Sequence, residues 1–146
     1  MWSFFAANYF NLNICSFSGG TEITQFHRNT VKTLQKTGFR FNLKDFSHQN
    51  PTYSISFKTS DTVILGFSKQ YFNPINATPF IAITTCKNTA NNCPFIPTAN
   101  HRFHLPFKDP KPYDKTNLQD EMYLKISAEI AAEIFFIFSN VKLLLS

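Results

Sequence analysis

The feature that most constrains this chain is the apolar spacing of its C-terminal segment. From Asn117 onward, Tyr123, Ile126, Ile130, Ile134, Ile137, Phe138 and Val141 recur mostly at three- and four-residue steps, the interval that aligns one face of an α-helix. A long helix with one apolar face must bury it against another layer, and the expected layer is a sheet. The most apolar stretch, Ile130 to Leu145, contains Glu133, Asn140 and Lys142, so it does not read as a membrane span.

Composition narrows the class further. The 146 residues, 43% of them hydrophobic, fit one domain (1–146) around one core. With 16% charged residues and 18 phenylalanines, the chain has ample apolar surface to offset the entropy of ordering. The formal charge of +5 suits an anionic ligand, but no run of like charge suggests a nucleic-acid tail. Three cysteines cannot all pair within one chain, which excludes a disulfide-stapled secreted framework. Residues 1–17 lack a basic n-region and a small-residue cleavage site, so the expected location is the cytoplasm, with no membrane partner.

Ahead of the long helix the pattern alternates between helix and strand. Trp2, Phe5, Ala6, Tyr9 and Phe10 form one helical face. No capping residue or entering loop precedes that face, and the expectation is that the ancestral domain begins upstream of Met1. Leu12 to Phe17 suits a buried strand, closed by Ser18-Gly19-Gly20-Thr21. Thr24 is placed to cap a helix bearing Val31 and Leu34, with Gly38 as its left-handed terminator. Strand, glycine turn and helix make the unit from which parallel sheets are built. Phe39 to Asn50 reads as a polar loop. Tyr53–Phe57 and Thr62–Phe67 read as an antiparallel hairpin turning through Lys58–Asp61. Phe80 to Thr85 is the clearest buried strand, and Arg102 to Phe107 is a further short one. Asp109-Pro110-Lys111-Pro112 reads as a rigid non-helical loop.

The chemistry-bearing residues gather after those last two strands. Cys86 and Cys93 frame a polar segment at a strand's carboxyl end, the edge where ligand sites of open parallel sheets lie. They read either as a redox pair, if the segment loops tightly enough to join them, or as ordinary small buried residues. Zinc is the rival use of Cys86, Cys93, His101 and His104. Structural zinc takes pairs spaced C-x2-4-C and H-x3-5-H, which neither C-x6-C nor H-x2-H supplies, and the two histidines are expected on opposite faces. No metal and no cofactor is expected. Cys15 reads as a core residue of its strand. Asp109, before a proline in a stiff loop, is mounted as a general acid should be, although Asp-Pro also simply initiates turns. Asp114 and Asp120 read as solvated or capping. His27, Arg28 and His48 could contact an anion, but solvated positions suit them better.

Taken together, these residues resemble the low-molecular-weight protein-tyrosine-phosphatase and thioredoxin-coupled arsenate reductase family. The resemblance is carried by Ser18-Gly19-Gly20-Thr21-Glu22, by the helix Arg28–Gly38, by Thr85-Cys86 through Cys93-Pro94-Phe95-Ile96-Pro97, and by Asp109-Pro110-Lys111 with Tyr113-Asp114. They occur in family order from Trp2 to about Phe138, and Cys-x6-Cys-Pro points to the arsenate-reductase-like bacterial branch. The hairpin around Tyr53 to Phe67 is similar to an insertion of one bacterial subgroup. The resemblance implies a three-layer α/β domain with a mostly parallel sheet flanked by helices. It implies a phosphate or arsenate oxyanion as ligand, with thioredoxin as relay partner. Asp109 would then be the acid that protonates the leaving oxygen, and Cys86 and Cys93 would pass oxidation to thioredoxin by disulfide exchange.

The family's nucleophile is missing from the sequence. A Cys-x5-Arg loop occurs nowhere, because the sixth residue after Cys15 is Thr21, after Cys86 is Asn92 and after Cys93 is Ala99. In family terms Trp2 already lies within the helix that follows that loop, so the chain reads as an N-terminally truncated member lacking the first central strand. Two strand edges would then be open to pairing with another chain. The expectation is a chain inactive as phosphatase or reductase, both of which stay open for the parent. The alternative is a non-catalytic redox or binding module using the Cys86/Cys93 pair.

Overall fold

The structure is a computed structural model, and it describes residues 1–57, 62–86 and 95–146. The described residues form an α/β protein with three α-helices, α1 (Trp2–Tyr9), α2 (Arg28–Lys36) and α3 (Gln119–Leu144). Its strands are β1 (Phe39–Asp45), β2 (Thr52–Phe57), β3 (Ile64–Gly66), β4 (Phe80–Thr84) and β5 (Ala99–His104). In place of one mostly parallel sheet, the strands divide into an antiparallel sheet in the order β1-β2-β3 and a parallel pair, β4-β5. The chain has two compact units, residues 1–17 with 75–146, and residues 18–74.

In the first unit the apolar stripe of the C-terminal helix packs on another helix, where a sheet was the expected layer. Tyr123, Ile126, Ile134 and Phe138 of α3 are buried, and the helix packs against α1. Ala6 and Ala7 of α1 meet Ile134 and Phe138, with Trp2, Phe10, Leu12, Ile130 and Ile137 packed around them. The two alanines let the helix backbones approach, so the buried stripe of α1 runs through Ala6 and Ala7. Tyr9, expected on that stripe, is instead 72% exposed and rests its ring on Phe135 at 4.9 Å.

The segment after α1 corrects the expected strand at Leu12–Phe17. Asn11 takes a left-handed φ of 52°, and the Leu12 amide donates to the Ala7 carbonyl at 2.8 Å. That is a helix-terminating turn, and it folds Leu12 onto the α1–α3 core. Residues 13–17 have strand-like composition but no ladder to join among the described residues, and Ile14 and Phe17 are exposed. Cys15, expected in the core, is exposed with a free thiol for the same reason.

The second unit shows a strand where a loop was expected. Phe39, Phe41 and Leu43 alternate with Arg40, Asn42 and Lys44, and β1 runs antiparallel to β2 from Phe39↔Phe57 to Asp45↔Thr52. That register gathers Phe39, Phe41, Tyr53, Ile55 and Phe57 on one face, with Ile55 fully buried. The polar residues between them hid the alternation. The antiparallel hairpin β2–β3 is present, pairing Tyr53 with Gly66 and Ile55 with Ile64. Its expected turn, Lys58–Asp61, lies outside the described residues. Helix α2 packs on β1 through its buried Thr33 and Leu34, and Gly38, at φ 108°, makes the reversal between them. The N-cap of α2 is His27 and not Thr24, whose amide donates to Ser68 Oγ at 2.9 Å.

Candidate functional site

The chain leaves the carboxyl end of β4 toward Cys86 and the carboxyl end of β5 toward Asp109. A parallel strand leaves its chemistry at that end because the chain must turn out of the sheet there. The Leu105 amide donates to the Thr84 carbonyl at 2.9 Å and the Phe107 amide to the Thr85 carbonyl at 3.3 Å. The approach to Asp109 is thus laid beside the approach to Cys86. The observed β5 begins and ends three residues before the expected Arg102–Phe107 (99 against 102, 104 against 107), yet these two hydrogen bonds carry the pairing on toward Pro106 and Phe107.

Cys86 is disulfide-bonded. Cys93, the remaining cysteine of the sequence besides the free Cys15, lies outside the described residues. Asp109 Oδ1 accepts the Lys111 amide at 2.9 Å, closing an Asx turn that fixes the carboxylate relative to the loop. Lys111–Tyr113 is a single 3-10 turn rather than non-helical loop, because prolines are tolerated in the first turn, where their missing donors have no partner to lose.

Asp114, expected to be solvated or capping, stands at the C-cap of that turn and accepts a 2.8 Å hydrogen bond from the Tyr123 hydroxyl, whose ring is buried in α3. That bond ties the Asp109 loop to the long helix. Tyr123→Phe is expected to cost about 1.5–3 kcal/mol, since it removes a hydrogen bond to an ionised carboxylate in a half-buried setting. A fall in the urea midpoint would show it; an unchanged midpoint would mean that the loop is held otherwise. Asp120 lies in the first turn of α3, where a carboxylate complements the helix dipole.

Sequence reasoning treated His104 only as a metal ligand and passed over Thr84 and Arg102. The Thr84 hydroxyl lies 3.1 Å from His104 Nδ1 and donates to the Phe103 carbonyl at 3.3 Å. The Arg102 guanidinium lies 4.3 Å from the centre of the Phe95 ring. The alternation Arg102-Phe103-His104 was the available signal, but its use depends on knowing the cross-strand register. His101 and His104 fall on opposite faces of β5, as expected. Among the described residues no group of three or more His, Cys, Asp or Glu side chains could hold a metal ion.

The glycine motif and the other basic candidates lie in the second unit. Gly20 accepts from the Tyr71 amide and donates to the Lys69 carbonyl, both at 2.9 Å. A Cβ on Gly19 would stand 2.6 Å from Tyr71 Cα, so Gly19 is required by that close approach. His48 stacks edge-on against Phe46 and lines an open hollow of about 460 Å³ with Ile23, Thr24, Gln25 and Asn50. That hollow holds no carboxylate or thiol. His27 caps α2, and Arg28 opens it.

No helix among the described residues is long and apolar enough to cross a membrane. The chain matches no family model, no characterised protein and no solved structure.

Proposed function

We propose that this chain is a thiol–disulfide exchange module of the arsenate-reductase-like branch of the low-molecular-weight phosphatase family, working in the cytoplasm. It keeps the relay cysteines Cys86 and Cys93 and the aspartate Asp109, without a nucleophilic Cys-x5-Arg loop in residues 1–146. The observation that carries this reading is the disulfide of Cys86 at the carboxyl end of parallel strand β4.

Three features of the backbone support the family reading. The parallel pair β4–β5 is followed directly by the Asp109-Pro110 loop. The N-terminal helix packs on the C-terminal one. Residues 13–17 are strand-like in sequence and join no ladder among the described residues.

In the exchange, a thiolate of a dithiol reductant such as thioredoxin attacks one sulfur of the disulfide of Cys86. The sulfur–sulfur bond breaks, the leaving cysteine takes a proton, and a mixed disulfide forms. The reductant's second thiolate then displaces the chain's sulfur, so that two electrons and two protons have moved to the chain and the reductant has become a disulfide. Oxyanion chemistry is not expected of residues 1–146, because no thiolate and guanidinium are paired at phosphate-loop spacing. Mixing the oxidised chain with reduced thioredoxin should oxidise one equivalent of thioredoxin per chain, and Cys93→Ser should abolish this. Under the same conditions p-nitrophenyl phosphate hydrolysis and arsenate reduction should stay at background. Absence of thioredoxin oxidation, or turnover of either oxyanion substrate, would overturn the reading.

A further inference from the structure

Helix α3 has two apolar sides. Ile130, Ile134, Ile137 and Phe138 pack with α1. Ala128, Ala132, Phe136, Ser139 and Leu143 recur at steps of four, four, three and four on the opposite side. Phe136 is 64% exposed and Leu143 74%. A helix that is apolar all round is ordinarily covered all round. The polar side chains on the open side turn back on their own helix: the Ser139 hydroxyl and the Asn140 amide each donate to the Phe136 carbonyl at 2.8 Å. That lowers the cost of covering them.

The order of sizes along this stripe decides what fits it. The small residues Ala128 and Ala132 come first and the large Phe136 and Leu143 follow. A parallel copy would set Phe136 on Phe136 and leave the alanines facing each other across a gap. An antiparallel copy centred on Ala132 sets Phe136 against the second copy's Ala128, large into small. The same register lays Lys142 beside the second copy's Glu121, and both side chains are exposed. Each contact occurs twice across the two-fold axis.

We propose that this chain forms a two-fold homodimer in which the open sides of two α3 helices pack antiparallel, with Phe136 seated on Ala128 and Lys142 paired with Glu121 across the interface. The area is of the right order. Tyr9, 72% exposed, rests on Phe135, 43% exposed, and extends the same side beyond Phe136. At about 150–250 Å² for a whole aromatic side chain, the exposed parts of these three come to about 300–450 Å². Leu143, the two alanines and the stem of Lys125 add to it, and a standard interface takes about 800 Å² from each partner. This inference is independent of the exchange reading, because no cysteine lies on α3.

The test is the mass of the full chain by sedimentation equilibrium across the micromolar range. Cys15→Ser is carried throughout, so that the free thiol cannot cross-link copies. The mass should rise to twice that of one chain. Phe136→Glu, at an exposed position, should hold it at one chain and leave the helical circular dichroism unchanged. Lys142→Glu and Glu121→Lys should each raise the dissociation constant about tenfold, since the reversed pair occurs twice in the dimer. Combined in one chain they should restore it. A single-chain mass throughout the range overturns the proposal, and so does a dimer that Phe136→Glu leaves intact. A double variant no tighter than either single one overturns the antiparallel pairing. A monomeric chain that co-sediments with phosphatidylserine vesicles, and ceases to with Phe136→Glu, would assign this side of α3 to a membrane surface and overturn the dimer.

Discussion

Phe138→Ala is expected to destabilise the unit formed by residues 1–17 and 75–146 by about 3–5 kcal/mol. Phe138 is buried against Ala6, Ala7 and Ile134, and the alanines facing it have no side-chain length with which to fill the space. The cost is therefore the lost transfer energy of the ring together with a cavity that does not collapse. Domains of this size have about 5–15 kcal/mol in total, so the loss is a large share. Trp2 is the single tryptophan of the sequence, packs on the same cluster, and donates from its indole to Ser127 Oγ at 3.3 Å. Its fluorescence should report a large drop in the urea midpoint. Phe138→Leu, which keeps most of the volume, should cost far less. Equal midpoints for Phe138→Ala and the wild type would show that α1 does not pack on α3 through this residue.

In the other unit the largest loss is expected at Ile55, the fully buried residue of central strand β2. It sits opposite Phe41 on one side and Ile64 on the other. A Cβ placed on Gly66 would collide with its Cδ1, so the glycine has left space that the isoleucine occupies. Ile55→Ala should cost about 2–5 kcal/mol, and Ile55→Val about 0.5–1.5 kcal/mol. Amide exchange along Phe39–Leu43 and at Ile64 reads this directly, because those amides belong to strands on either side of Ile55. Protection unchanged by alanine would mean that the sheet does not depend on this contact.

What could be read in the sequence was what depends on local periodicity. Helix α3 followed from steps of three and four, the hairpin from alternation at Tyr53, Ile55 and Phe57, and β4 from the apolar run Phe80–Thr85, although Ile81 and Ile83, expected buried, are exposed. The failures were non-local. The stretch Leu12–Phe17 has the composition of a strand, but a strand exists only where a neighbour offers a ladder, and composition does not reveal the neighbour. Strand β1 was missed for the opposite reason: Arg40, Asn42 and Lys44 face away from the apolar side, and this becomes evident only when β2 is laid beside it.

The site divides in the same way. Cys86 and Asp109 stood out because each follows a strand, and the hydrogen bonds from Leu105 and Phe107 lay their approaches side by side. The bond from Tyr123 to Asp114 spans a turn and the start of a helix, and the Thr84–His104 contact joins parallel strands across a connection. Neither leaves a mark in residue spacing.

The most direct measurement is a count of free thiols. Purified chain is mildly oxidised, denatured without reductant, labelled with N-ethylmaleimide, and weighed before and after reduction. The expected result is one label, at Cys15, rising to three once the disulfide of Cys86 is reduced. Labels on all three cysteines before reduction would contradict it.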